Sequence, residues 1–234
     1  MVRAFLGAGA MVHVADLVGT PPDGASMTRT DISDEGSVDG LFAAVEEHLG
    51  GLDVLCNNVG IAGPTGPIED LDAGDWDQTM AVNVRSMFLT CRRAVPLLRQ
   101  AGGGSILNTA STAGITGYPM RSPYATSKWA VVGLGATLAM ELGEFGIRVN
   151  TICPGSVGGD RMDRVIAAEA TATGTASDEI RAGYENQVSM RTFVDAEDIA
   201  SMAVFLASPA ARLVSGQTIS VDGGLETLRN TWRT

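Results

Sequence analysis

Short runs of β-branched and apolar residues alternate along the chain with longer segments whose apolar positions recur at helical spacing. The runs are MVHVAD (11–16), SMTRTD (26–31), LDVLCNN (52–58), GSILNTAS (104–111), IRVNTICPG (147–155) and QTISVDG (217–223). The helical segments lie at 34–49, 73–100, 123–144, 176–187 and 195–207. Strands that alternate with helices are covered on both faces, which predicts an α/β fold with a doubly wound parallel sheet. Pro96 predicts a kink in the second helix, and Ser122 with Pro123 reads as the N-cap and first-turn proline of the third. The stretch 156–194 reads as a mobile lid in which Met162, Val165, Ile166 and Met190 either line an apolar pocket or form ordinary helix core. No repeat or low-complexity linker interrupts the alternation, which predicts one domain over 1–234.

Composition narrows the class. The 234 residues are 45% apolar and 18% charged, enough for one sizeable core. A formal net charge of -11 argues against a nucleic-acid partner, because phosphate binding rests on clustered Lys and Arg. Arg92 and Arg93 adjoin on what reads as a solvated helix face. Three cysteines, Cys56, Cys91 and Cys153, lack CxxC or zinc spacing, so they are expected to be buried free thiols in a reducing compartment, with no metal site. No apolar run reaches the roughly 20 residues of a membrane helix, and His13 interrupts the run that follows Arg3, unlike a signal peptide. A cytoplasmic protein without a membrane partner is expected.

In open parallel sheets ligands bind beyond the carboxyl ends of the strands. Those ends carry Asp16, Asp31, Asn57 to Gly60, Ser111, Pro154 and Gly155. Asp16 is placed either to accept hydrogen bonds from ribose hydroxyls or to serve as a turn residue. No Lys or Arg occurs between Arg3 and Arg29 to neutralise a 2′-phosphate, which favours NAD over NADP. The sharpest signal is SPYATSKWA: Tyr124 and Lys128 stand at i and i+4 on one helix face, where an ammonium eases proton loss from the phenol. The alternative is a surface pair. Against fifteen Arg the chain has a single Lys, and it stands at this position, which suits a compact cation set between a phenol and a ribose. Ser111 either hydrogen-bonds a substrate oxygen or caps a turn. Asn83, between apolar neighbours in a predicted helix, is either a core hydrogen bonder or the holder of a water.

CNNVG, NVRSMFLT, ILNTASTAG followed by YATSK, then IRVNTICPGSV and SGQTISVDGG together resemble the short-chain dehydrogenase/reductase family over nearly the whole chain. The resemblance implies a Rossmann-type fold with Asn83, Ser111, Tyr124 and Lys128 as a catalytic tetrad. It further implies that Asp16, Asp31, Ile32, Asn58 and Gly60 flank adenosine and ribose, and that Pro154, Gly155 and Val157 lie near the nicotinamide. A homotetramer pairing the helices at 73–100 and 123–144 is expected on the same ground. Two departures stand out. Gly158 and Gly159 occupy the place where the family often has a carboxamide-binding Thr. The family's leading strand and TGxxxGxG loop do not appear in these residues, and GAGAMV (7–12) leads into a strand rather than following one. MVRAFLGAG therefore reads as the tail of a first helix in an N-terminally truncated chain, with a ragged gap between the strands at 11–16 and 52–58. The expected function is NAD-linked hydride transfer to or from a secondary alcohol or ketone. The alternatives are an NADPH-linked 3-oxoacyl thioester reductase and a catalytically impaired or non-catalytic relative.

Overall fold

The computed structural model describes residues 1–225. The chain runs α1 (Val2–Gly7), β1 (Val12–Asp16), β2 (Ala25–Arg29), α2 (Glu35–Leu49), β3 (Val54–Asn57), α3 (Ala73–Met80), α4 (Ser86–Gln100), β4 (Gly104–Thr109), α5 (Ser122–Leu142), β5 (Ile147–Pro154), α6 (Asp160–Thr173), α7 (Ser177–Asn186), α8 (Ala196–Ala207) and β6 (Thr218–Val221). All strand pairs are parallel, in a Rossmann-like α/β architecture.

Alternation along each strand divides the core. Ile106 of β4 and Val149 of β5 face the cluster formed by α2, α4 and α5, with Val38, Phe42, Leu98 and Leu142. Leu107 and Ile152 face the opposite cluster, where Leu206 of α8 and Phe5 of α1 pack. Arg92 and Arg93 bond Glu35 and Asp39 of α2 at 2.8 and 2.5 Å, so the expected solvated face is a partly exposed ion-pair seam between two helices. Arg148 of β5 reaches the last carbonyls of α8, including Ala207 at 3.1 Å, and adds to the Ser208 bonds that cap the helix end.

The sheet is divided. β1 pairs only with β2, and β3, β4, β5 and β6 form a second sheet in that order. The free edges of β1 and β3 border a cleft of about 880 Å³ whose walls include Val14, Leu55, Phe42 and Leu97. The gap expected between these strands thus stays open.

Three expectations need correction. The helix expected over 73–100 is continuous, but it winds as a π-helix at Ala81–Arg85 where regular α-helix was expected, and α4 carries Pro96 within it. Ser122 is not a hydrogen-bonding N-cap: Arg121 holds the cap position, and the buried Ser122 Oγ has no partner among the described residues. The stretch 156–194 contains a helix, α6, that apolar periodicity did not single out. Its Met162 and Ile166 are buried, whereas Val165 and Met190 are exposed, so the four do not share one pocket wall.

Candidate active site

Helix α5 starts at the β4 end of the sheet and brings Tyr124 and Lys128 onto one face. Lys128 is 4% exposed, and its Nζ donates to the Thr109 carbonyl at 3.0 Å. A buried ammonium requires such bonds, since its desolvation is otherwise costly. Nζ lies 5.7 Å from the centroid of the Tyr124 ring, so the pair is part of the fold's interior rather than a surface contact. Gly114 lets the 3-10 turn that follows β4 approach α5, because a Cβ there would stand 2.7 Å from the Lys128 carbonyl. Ser111, in extended backbone at φ -176°, accepts from the Ala113 N–H at 3.2 Å and caps the one-turn 3-10 helix at Thr112–Gly114. The cap role expected as its alternative is therefore present, and the half-buried hydroxyl keeps its own proton to donate.

Asn83 sits in the π-turn with no exposed surface. Its Oδ1 accepts from the Ile61 N–H at 2.8 Å, and its Nδ2 donates to the Ile61 carbonyl and to Ser127 Oγ, both at 3.0 Å. Both amide protons are used, which is the core hydrogen-bonding arrangement of the two that the sequence allowed. The irregular turn accompanies these long-range bonds, and π-bulges inside α-helices are frequent at functional sites. Gly60, next to Ile61, completes the cluster. A Cβ there would lie 3.2 Å from Asn83 Oδ1 and 3.3 Å from Lys128 Nζ, so bare backbone approaches the ammonium.

The remaining candidates fall into two groups. Asp16, Ile32 and Asn58 line the cleft between β1 and β3. Asp31 is exposed on the loop after β2, where hydrogen bonds from the Ser33 hydroxyl and N–H hold its carboxyl below the usual carboxylate range. Pro154 ends β5 and Gly155 and Val157 follow it; the Gly155 N–H donates to the Val221 carbonyl, and Val157 bridges to Val194. Asn58 Oδ1 accepts from Thr109 Oγ1 at 3.1 Å, which ties the cleft to the strand end that holds Lys128.

Sequence reasoning missed two arginines. Arg29 is the cross-strand partner of Asp16 in the parallel register, so the two side chains leave the same sheet face on adjacent strands, a neighbour that sequence distance had hidden. The signal was the strand register, which a linear scan does not supply. Arg121 immediately precedes α5, and its guanidinium carbon is 5.0 Å from the Tyr124 ring centroid. Cys91 and Cys153 are buried as expected, whereas Cys56 is half-buried at the cleft wall; burial pushes the Cys91 thiol up to about 11 and that of Cys56 up to about 12. Among the described residues no His, Cys, Asp or Glu cluster is arranged to hold a metal, and no helix is long and apolar enough to cross a membrane.

A family model described as enoyl-(acyl carrier protein) reductase matches residues 3–226. The chain belongs to the short-chain dehydrogenase/reductase family. It is 34% identical over 199 residues to the D-beta-hydroxybutyrate dehydrogenase of Rhizobium meliloti (strain 1021), covering 83% of this chain and 75% of that one. To the inactive 2-(S)-hydroxypropyl-CoM dehydrogenase 2 of Xanthobacter autotrophicus (strain ATCC BAA-1158 / Py2) it is 35% identical over 233 residues, covering 96% and 99%. Among solved structures it resembles the sorbitol-6-phosphate 2-dehydrogenase SrlD of Erwinia amylovora, with a TM-score of 0.91, 28% identity and coverage of 97% and 94%. Membership of this dehydrogenase/reductase family makes the protein an oxidoreductase by class.

Proposed function

We propose that this short-chain dehydrogenase/reductase oxidises a secondary alcohol, or reduces the matching ketone, with NAD. The observation that carries the reading is the buried Lys128 bonded to the end of β4 on the same face of α5 as Tyr124. The cleft supports a dinucleotide, since Asp16 and Asn58 stand at strand ends on its wall. The bare Gly60 backbone leaves room for a ribose against Lys128. A bound nicotinamide supplies the two-electron acceptor or donor. The protein's part is the proton: Ser111 Oγ orients the substrate oxygen by hydrogen bonding, and Tyr124 Oη takes its proton in oxidation or returns it in reduction. Lys128 balances the phenolate charge, and Asn83 fixes Ile61 and Ser127 around it. Proton transfer of this kind contributes about 10² to 10⁴ in rate.

Asp16 is the basis for NAD, because a 2′-phosphate meets like charge there. One observation favours a second reading, an NADPH-linked ketoreductase acting on 3-oxoacyl thioesters: Arg29 lies opposite Asp16 and offers that phosphate a cation. A panel of secondary alcohols and ketones assayed by reduced-nicotinamide absorbance tests both. Higher kcat/KM with NAD supports the proposal, higher kcat/KM with NADP supports the second reading, and no turnover with either overturns the enzyme assignment and leaves a non-catalytic member of the family.

A further inference from the structure

Beside Tyr124 the protein holds a guanidinium whose donors are mostly unspent. Arg121 donates from Nη2 to the Ala62 carbonyl at 2.9 Å, in the loop after β3. Its Nε is buried without a hydrogen-bond partner, and no carboxylate among the described residues pairs with it. A buried guanidinium donor left unmade carries a desolvation cost that folding normally avoids. The next residue repeats the pattern, since Ser122 Oγ is also buried and unpartnered. Two adjacent orphan groups therefore stand at the positive end of the 21-residue α5, within one turn of Tyr124.

The surrounding structure holds this arginine in place. Met120, just before it, has φ of 63°, a conformation rare for a side-chain-bearing residue, and its carbonyl accepts from the Gly66 N–H at 2.9 Å. Backbone strain of this sort persists only where neighbouring structure imposes it. The guanidinium carbon lies 5.8 Å from the Tyr118 ring centroid and 5.0 Å from that of Tyr124. Tyr184 of α7 faces the same place. Its hydroxyl donates to Glu169 at 2.9 Å, and burial raises it far above the ordinary phenol range, with the Tyr118 charge adding to the rise and Arg121 offsetting part of it. Arg121 thus has the Tyr118 and Tyr124 rings beside it and Tyr184 of α7 within electrostatic reach.

Resting on the proposed alcohol oxidation, we infer that Arg121 is a specificity-determining residue that binds an anionic group of the substrate, so that the preferred substrates are short hydroxy or keto compounds bearing a carboxylate, phosphate or sulfonate. Nη2 is committed to Ala62, and the buried, unpartnered Nε and Ser122 hydroxyl are the adjacent donors that such a group would satisfy.

Two measurements on the full chain test this. In the first, kcat/KM is compared for 3-hydroxybutyrate and its methyl ester in the unaltered protein, in Arg121→Gln and in Arg121→Lys. Loss of a charged hydrogen-bond donor is expected to lower the value for the acid by about 30-fold, mainly through KM, and for the ester by about threefold or less, with Arg121→Lys in between. Equal losses for acid and ester, or no preference for the acid in the unaltered protein, overturn the inference. In the second, calorimetric titration with butyrate and with methyl butyrate reads binding without turnover. Butyrate is expected to bind at least about tenfold more weakly to Arg121→Gln, whereas methyl butyrate is expected to bind both alike. Identical butyrate binding overturns the inference. Arg121-dependent butyrate binding with no oxidation of any alcohol supports it while overturning the oxidoreductase reading of the same site.

Discussion

The ends of β4 and β3 with α5 on one side, and the seam between β1 and β3 on the other, belong to the same fold but are built in different ways. At the first, a network of bonds surrounds Lys128: Nζ to Thr109, Asn83 to Ile61 and Ser127, Ser127 to the Tyr124 carbonyl. At the second, two strand edges lack backbone partners across a cleft, and apolar side chains such as Leu55 and Phe42 line it. The candidate corner meets the seam at the end of β3, where Asn58 bonds Thr109 and Ile61 bonds Asn83. It is held by β4, β5 and α5, and by the π-turn that carries Asn83.

The bonded groups of the corner should act as a unit. Lys128→Met is expected to lower kcat by about 10³-fold at neutral pH while the circular dichroism spectrum and melting temperature change little. A loss of folding instead would make Lys128 a structural group. The seam should show itself as a soft place. Backbone amides of β1 are expected to exchange with deuterium about 100-fold faster than those of β4 and β5, whose strands are paired on both sides. Uniform protection across all strands would remove the contrast between the two regions.

Smaller effects sharpen the seam's side of the comparison. Because Arg29 stands opposite Asp16, Arg29→Ala is expected to raise the ratio of kcat/KM for NAD over NADP by about tenfold, and Asp16→Ser to lower it by a similar factor. An unchanged ratio in both would place the adenosine ribose elsewhere. The pairing of β1 with β2 includes His13, whose ring nitrogens bond Ser26 Oγ at 2.7 Å and Thr28 Oγ1 at 2.8 Å. Burial, and secondarily His48, lowers its pKa below the usual 6.5. The folded protein then binds the proton less readily than the unfolded chain, so this contribution is complete above pH 6.5 and is lost as the pH falls through the folded value. The part-exposed ring keeps the effect small, seen as a denaturation midpoint that drops between neutral and mildly acidic pH and does so less in His13→Gln.

Much of this was legible in the chain. Each of the six strand runs forms a strand, because short β-branched runs bounded by turn residues have little choice in a sheet covered on both faces. Tyr124 and Lys128 were legible because helical spacing alone puts them on one face. Other features depend on contacts between distant segments. The π-helical turn at 81–85 accompanies Asn83 bonding Ile61, 22 positions away, which no local pattern encodes. Helix α6 follows Gly158 and Gly159 and is rich in Ala and Thr, so its buried Met162 and Ile166 gave too thin an apolar stripe to stand out. Arg29 was hidden because register, not sequence distance, makes it the neighbour of Asp16.

The central claim is that Tyr124 is the proton-exchanging group of a nicotinamide-linked oxidoreductase. The most direct measurement is a single-turnover experiment on Tyr124→Phe, with cofactor binding followed by fluorescence and the redox step by absorbance. The account predicts that cofactor affinity stays within about threefold of the unaltered protein while the redox step slows by about 10³-fold or more. A redox step as fast in Tyr124→Phe as in the unaltered protein would contradict it.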